Sequence, residues 1–138
     1  MFIPRLALVG ASTLALTFSS SFTARAQDAA PPHTIVIRLT DDGGPQPYGF
    51  EPGVISARRG DTLRFVQAGS TMHNVHFVSV PKGAKLGNLA TSDYLTTKGQ
   101  AFTVVLDSRF PDGRYEIVCD PHLAVGMRAI LTVSGGKE

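Results

Sequence analysis

Three side chains that bind soft metal ions lie close together in one short segment, CDPHLAVGM. They are the thiol of Cys119, the imidazole of His122 and the thioether of Met127. Pro121 stiffens the backbone between the first two, and Gly126 allows it to turn back before the third. A loop held between two strands can fold such side chains around one point. The segment therefore predicts part of the ligand set of a metal ion.

His73 is the candidate for a fourth ligand. It follows the turn-like segment 68–70 at the start of a predicted strand, where it can meet the loop 119–127 at one end of a sheet. Two imidazoles, one thiolate and one thioether match the trigonal His₂Cys copper site with a weak axial Met. Structural zinc sites instead draw on four strong Cys and His ligands. The predicted metal is therefore copper, and its predicted ligands are His73, Cys119, His122 and Met127.

Other interpretations of the Cys, Met and His residues stay open from the sequence alone. Cys119 can be a buried, inert thiol, although an unpaired thiol in an exported chain needs protection from oxidation. Met72 can be mistaken for the axial ligand, yet as the strand neighbour of His73 it points the other way, and we expect it in the core or at its rim. We expect His76 to be a half-exposed strand residue rather than a ligand, and His33 to be solvated.

Short β-branched and apolar runs separated by turn residues fill the chain after residue 33. Leu63 and Phe65, for example, share one face of an alternating run. Residues 40–53 read as a long loop, residues 84–99 as an irregular segment with one helical turn, and the charged residues 58–61 as a solvated turn. The expected strands cover residues 34–39, 54–57, 62–68, 73–80, 101–106, 115–119 and 128–133. This pattern, without an amphipathic helix, indicates an antiparallel β-sandwich.

The first 26 residues have the three parts of a secretory signal peptide. A basic start ends at Arg5, an uncharged and mostly apolar run covers residues 6–22, and a small-x-small cleavage site ends at Ala26. We expect cleavage after Ala26, one folded domain over residues 27–138 and a periplasmic location without a membrane span. The apolar run could instead stay as an anchor, but a spanning helix needs roughly 20 residues.

The charge balance limits the partners. Arg5 and Arg25 account for the whole excess of 13 basic over 11 acidic residues, so the expected mature domain is near neutral. A nucleic-acid binder needs a surplus of Lys and Arg to neutralise phosphates, and this class is excluded. The remaining length fits a single domain with its own core.

The chain resembles the cupredoxin family, and within it the plastocyanin and pseudoazurin branches. The resemblance is carried by GDTLRF at residues 60–65, HNV at 73–75, YEIVCDPH at 115–122 and GM at 126–127. The Cys-x2-His-x4-Met spacing is the one these two branches use. The resemblance spans nearly all of the expected mature chain, and it implies a Greek-key β-sandwich of about eight strands with one type 1 copper ion near one end.

The resemblance also implies a role for each site residue. His73, Cys119 and His122 would be the equatorial ligands and Met127 the axial ligand. Asn74 matches the family's Asn after the first His, whose hydrogen bonds tie the ligand strand to the Cys loop.

Asp120 departs from the family pattern, in which a small hydroxyl residue commonly follows the Cys. A negative charge beside the metal favours Cu(II) and lowers the reduction potential, unless Arg128 or another cation offsets it. We therefore expect Asp120, like Asn74, to act on the site from outside the ligand set.

The implied function is one-electron transfer between periplasmic redox proteins on a copper ion that alternates between Cu(I) and Cu(II), without enzymatic activity. A copper storage or delivery protein is the alternative. A third possibility is a small catalytic copper protein with an open axial position, and Met127 argues against it.

The apolar run 123–126 after His122 predicts where a partner docks. Exposed apolar patches mark contact sites, so we expect a transient redox partner, a cytochrome or an oxidoreductase, near His122 and Leu123. Leu123 and Val125 could instead turn inward and pack the loop. We expect the protein to be a monomer.

Overall fold

The computed structural model describes residues 31–42 and 47–135, so the expected signal peptide lies outside the described residues. Within them, eight strands form two four-stranded sheets. The strands are β1 (Thr34–Thr40), β2 (Gly49–Glu51), β3 (Val54–Arg58), β4 (Thr62–Gln67), β5 (His76–Ser79), β6 (Ala101–Val105), β7 (Gly113–Val118) and β8 (Arg128–Ser134). The predicted all-β sandwich of about eight strands is confirmed.

The strand order is β2-β1-β4-β6 in the first sheet and β3-β8-β7-β5 in the second. β1 pairs with β4 in parallel, and β3 pairs with β8 in parallel. The expectation of a purely antiparallel sandwich was therefore wrong for these two pairs. The chain leaves the first sheet after β2, forms β3 in the second sheet and returns as β4, so that β4 lies beside β1 in the same direction.

The core between the sheets follows from alternation along each strand. In β4, Leu63, Phe65 and Gln67 are buried while Arg64 is exposed. Phe65 makes edge-to-face contacts with aromatic rings of both sheets, at centroid distances of 6.3 Å to Phe50 and 6.4 Å to Phe77. Such pairs contribute about 1 kcal/mol each beyond the area they bury. They fix the sheets against each other and so hold the strand ends in place.

One antiparallel pair decides where the candidate ligands meet. β5 runs against β7, with His76 opposite Val118. The start of β5 therefore lies beside the end of β7, since antiparallel neighbours begin and end at opposite edges. His73 precedes β5 and Cys119 follows β7, so both come to the same end of the second sheet.

Two expected elements differ from the structure. β2 lies inside the run that was expected to be a loop, and it forms because residues 49–51 pair with residues 38–40 of β1. The strand expected over residues 73–80 begins only at His76, because His73 bonds to Leu95 instead: its N–H donates to the carbonyl of Leu95 at 3.1 Å, and the Leu95 N–H donates back at 2.7 Å.

The charged turn at residues 58–61 is not simply solvated, as was expected. Asp61 is 2% exposed, and its carboxylate accepts the backbone N–H groups of Arg58 at 2.8 Å and His33 at 3.1 Å. The imidazole of His33, although largely exposed, also lies 3.0 Å from this carboxylate. Asp61 therefore fastens the turn to the start of the first strand.

Helix is confined to two short 3₁₀ segments in the described part of the chain, Gly87–Leu89 and Asp120–Val125. The first is the helical turn expected in the irregular segment 84–99. None of the helices among the described residues has the length and apolar character needed to cross a bilayer.

Candidate metal centre

The loop between β7 and β8 is closed by its own backbone hydrogen bonds. The N–H of Cys119 donates to the carbonyl of Met127 at 3.2 Å, and the N–H of Met127 donates to the carbonyl of His122 at 3.2 Å. Gly126 has φ of 88°, a left-handed conformation that glycine adopts without strain, and it ends the 3₁₀ segment. The sequence folds this way because Pro121 starts a tight turn and Gly126 stops it.

His73 reaches the same point from a different segment of the chain. Its two backbone hydrogen bonds to Leu95 fix its position just before β5. The side chain is completely buried, with 0% exposure, as are those of Cys119 and Met127. His122 is only partly buried, so one edge of the site reaches the surface.

The ligand atoms of His73, Cys119 and His122 lie within 4.8 Å of one another. The Sγ of Cys119 is 3.6 Å from Nδ1 of His73 and 3.4 Å from Nδ1 of His122. Thiolate and imidazole ligands at about 2.3 and 2.0 Å from one tetrahedral ion lie about 3.5 Å apart. The three side chains therefore fit a common ion, and they are positioned as a type 1 copper site with Met127 nearby.

Burial favours the uncharged forms of both Cys119 and His73 in the metal-free site. Burial raises the pKa of the Cys119 thiol, and this outweighs hydrogen bonds that lower it. Burial lowers the pKa of His73, and the neighbouring His122 lowers it further. A bound metal ion would instead lower the pKa of the Cys119 thiol, because metal binding stabilises the thiolate. It would also use the imidazoles in their neutral form.

Asn74 joins the two segments that carry the candidate ligands. Its Oδ1 accepts the backbone N–H of Asp120 at 2.8 Å, and its Nδ2 donates to the Asp120 carboxylate at 2.7 Å. Asn74 is 3% exposed and follows His73, while Asp120 follows Cys119. The hydrogen bonds therefore hold the His73 segment against the Cys119 loop.

His76 is half-exposed, as expected, but it also has a partner that the sequence did not indicate. Its Nδ1 lies 2.9 Å from the carboxylate of Asp120. The hydrogen bonds from Asn74 and His76 lower the pKa of Asp120. The sequence left open that Arg128 offsets the negative charge of Asp120. In the structure Arg128 instead pairs with Glu116 at 2.6 Å. The contact between His76 and Asp120 follows from the strand pairing, which places His76 opposite Val118, two positions before Asp120.

Tyr48 covers the imidazole of His122, and sequence analysis missed it. The two rings stack with centroids 4.1 Å apart and an interplanar angle of 14°. Tyr48 lies in the Gly- and Pro-rich run before β2, where no periodic pattern marks a contact. Stacking of this kind restrains the one candidate ligand that is not fully buried.

Two apolar side chains that follow His122 in the chain are exposed. Leu123 is 37% exposed and Val125 is 52% exposed, so neither turns fully inward to pack the loop. Met72 is also exposed rather than part of the core. The patch is formed by the 3₁₀ segment, in which none of the residues is buried.

Comparisons with known proteins agree with this geometry. Residues 38–134 match the family model described as copper binding proteins, plastocyanin/azurin family. The chain is 32% identical over 128 residues to a chloroplastic plastocyanin of Physcomitrium patens, covering 91% of this chain and 70% of that protein. It is 34% identical over 100 residues to a plastocyanin of Ulva prolifera, covering 71% of this chain and 97% of the relative.

Solved structures show the same fold. Oxidised plastocyanin from Dryopteris crassirhizoma superposes with a TM-score of 0.59 at 25% identity, covering 72% of this chain and 100% of that one. Pseudoazurin from Methylobacterium extorquens AM1 superposes with a TM-score of 0.53 at 26% identity, covering 76% of this chain and 78% of that one. The sandwich, the buried Cys and His cluster and the family match lead to one conclusion. The chain belongs to the plastocyanin/azurin family of copper-binding proteins.

Proposed function

We propose that the protein carries one electron at a time between redox partners, on a copper ion bound by His73, Cys119, His122 and Met127. The observation that carries this proposal is the cluster of one thiol and two imidazoles within 4.8 Å, buried except at His122. Bound copper supplies the Cu(I)/Cu(II) couple. Everything else in the function is done by the polypeptide.

The polypeptide holds the ligands still. Cys119, His122 and Met127 belong to a loop that closes on itself, and His73 is fixed by its bonds to Leu95. Ligand positions that do not change between oxidation states lower the barrier to electron transfer, because little reorganisation accompanies it. The burial of His73, Cys119 and Met127 keeps water and substrates out. This supports a carrier rather than an enzyme, as does the single cysteine of the whole chain, which provides only one such site.

His122 is the proposed exit for the electron. Its imidazole is partly exposed, and Leu123 and Val125 present apolar surface beside it. We propose that a redox protein, a cytochrome or an oxidoreductase, docks on this patch and dissociates quickly. Small apolar contacts suit such encounters, because a near-neutral domain offers little charge to steer or retain a partner. The carrier would work as a monomer.

We propose that the protein works in the periplasm after removal of residues 1–26. The composition of that segment supports export, and the described strands all lie between Thr34 and Ser134, within the expected mature domain 27–138. Mass spectrometry of the protein recovered from a periplasmic fraction tests the proposal. A mature mass that begins at Gln27 is expected, and a full-length mass in the cytoplasm would contradict it.

A visible absorption spectrum of the copper-loaded protein tests the proposed function. A thiolate-to-copper charge-transfer band should appear, vanish on reduction and return on oxidation through many cycles. In Cys119→Ser the band should be absent, because a hydroxyl oxygen does not replace the soft thiolate.

A competition assay separates the carrier from the storage or delivery alternative. A buried ligand set should release Cu(I) slowly to an excess of chelator. Release within seconds, or irreversible loss of the band on the first reduction, would favour storage or delivery.

A further inference from the structure

A buried carboxylate lies behind the candidate ligand His73. The side chain of Asp41 is 5% exposed, and its Oδ2 lies 4.0 Å from Nε2 of His73. On the other side of the same ring, Nδ1 lies 3.6 Å from the Sγ of Cys119. The imidazole therefore stands between the candidate metal position and a negative charge.

The backbone of residues 69–71 encloses this carboxylate. The N–H of Ser70 donates to both oxygens of Asp41 at 2.8 Å, and the N–H of Thr71 and the Ser70 hydroxyl also donate. A Cβ on Gly69 would lie 2.4 Å from Oδ1, so only glycine leaves room for the carboxylate. Burial alone would raise the pKa of Asp41, but these hydrogen bonds outweigh it and hold the pKa well below its usual range. Asp41 is thus held as an anion.

The ring of His73 needs a partner on its outer nitrogen. If Nδ1 binds the metal, the proton of the neutral imidazole is on Nε2. Nε2 is buried, and it has no hydrogen-bond partner in the described part of the chain. A buried N–H without a partner is costly, and the anionic carboxylate of Asp41, 4.0 Å away, is the acceptor nearest to it that the structure shows.

We propose that Asp41 is a positioning residue for His73. It keeps the proton on Nε2, turns Nδ1 towards the metal and, through its charge, favours Cu(II) over Cu(I). Carboxylates that hold the outer nitrogen of a ligating imidazole make that ligand more basic. This inference rests on the proposed copper carrier, and it makes Asp41 one of the residues that set its reduction potential.

The first test uses the metal-free protein, so it does not depend on electron transfer. ¹⁵N NMR of the imidazole nitrogens reports which one carries the proton. In the unmodified protein His73 should be in the Nε2–H form. In Asp41→Asn it should shift to a mixture of tautomers. Asp42→Asn removes the same charge from the exposed neighbouring residue and should leave the Nε2–H form unchanged. An Nδ1–H form in the unmodified protein, or no shift in Asp41→Asn, would overturn the inference.

The second test is the reduction potential of the copper-loaded protein. Loss of an outer partner changes metal affinity by about tenfold, and we expect that loss mainly for Cu(II). Asp41→Asn should therefore raise the potential by about 59 mV, the equivalent of a tenfold change for one electron. Asp42→Asn should leave it unchanged. Equal potentials in Asp41→Asn and the unmodified protein would refute the role of Asp41.

A second variant covers the case in which Asp41→Asn does not fold. Gly69→Ala keeps the charge but displaces the Asp41 carboxylate. It should also raise the reduction potential and shift His73 to a mixture of tautomers. The charge-transfer band of the unmodified protein separates the two proposals. Its absence would refute the copper carrier, whereas an intact band with an unmoved potential in both variants would refute the role of Asp41 alone.

Discussion

Replacing Asn74 by alanine should destabilise the metal-free protein, because it breaks the link between the two ligand-bearing segments. Asn74 is buried, and its amide both accepts from the backbone N–H of Asp120 and donates to the Asp120 carboxylate. Alanine removes both hydrogen bonds and leaves the N–H of Asp120 without its acceptor. The His73 segment and the Cys119 loop would then be joined only by packing, the pairing of β5 with β7 and the exposed contact of His76 with Asp120.

The cost can be worked out bond by bond. Loss of the bond to the backbone N–H costs about 1.5 kcal/mol, because a partly buried donor loses its partner. The Asp120 side chain is 41% exposed, so water screens the second bond, which contributes about 1 kcal/mol. A combined loss of about 2.5 kcal/mol lowers the Tm of a domain of this size by about 10 to 20 °C.

Urea and thermal unfolding of the metal-free protein, followed by circular dichroism, measures this loss. Asn88→Ala, in the exposed 3₁₀ turn, is the matched control and should change the unfolding free energy by less than about 0.5 kcal/mol. In a double-mutant cycle, Asn74→Ala and Asp120→Ala should together cost less than the sum of their separate effects. Additive effects, or a loss below about 1 kcal/mol in Asn74→Ala, would refute the reasoning.

Three further predictions concern the axial ligand, docking and acid stability. Met127→Leu should keep a coloured site and raise the reduction potential, while Met72→Leu should change neither; equal potentials in both variants would exclude Met127 as a ligand. Leu123→Lys should slow second-order electron transfer to the native partner by about tenfold without altering the spectrum, and Thr132→Lys, at an exposed position of β8 outside the ligand loop, should not. A changed spectrum would instead indicate that Leu123 packs the loop. Asp61→Asn should cost about 2 kcal/mol at pH 7. Hydrogen bonds outweigh burial and hold the pKa of Asp61 below 3.8, so its contribution is present above about pH 4 and is lost as pH falls through the folded pKa. Urea unfolding at several pH values should show the deficit shrinking in acid, and a constant deficit would contradict the assignment.

The ligands in the loop 119–127 could be predicted from the sequence, because they lie close together in the chain. Cys119, His122 and Met127 lie within nine residues, and their chemical types alone restrict the metal. His73 could be proposed from its type and from the turn before it. Its meeting with Cys119 depended on the pairing of β5 with β7, which the sequence pattern does not specify.

The residues that surround the ligands were not predictable in the same way. Asp41 and Tyr48 lie in a Gly- and Pro-rich run without periodicity, and their contacts are with residues far away in the chain. Residues 49–51 were missed as a strand because their pairing with β1, rather than their own propensity, makes them one. Polar contacts across loops depend on the completed fold, and hydrophobic periodicity carries no information about them.

The spacing of the candidate ligands along the chain determines the order in which the site can assemble. Cys119 and His122 are three positions apart in the chain, whereas Cys119 and His73 are 46 positions apart. The nascent or unfolded chain therefore already contains a local Cys, His and Met cluster that can capture a copper ion before any sheet exists. Copper bound in this way stabilises the unfolded chain as well as the folded one. The metal therefore adds less to the free energy of unfolding. The arrival of His73, which needs the pairing of β5 with β7 inside the second sheet, would then complete the ligand set.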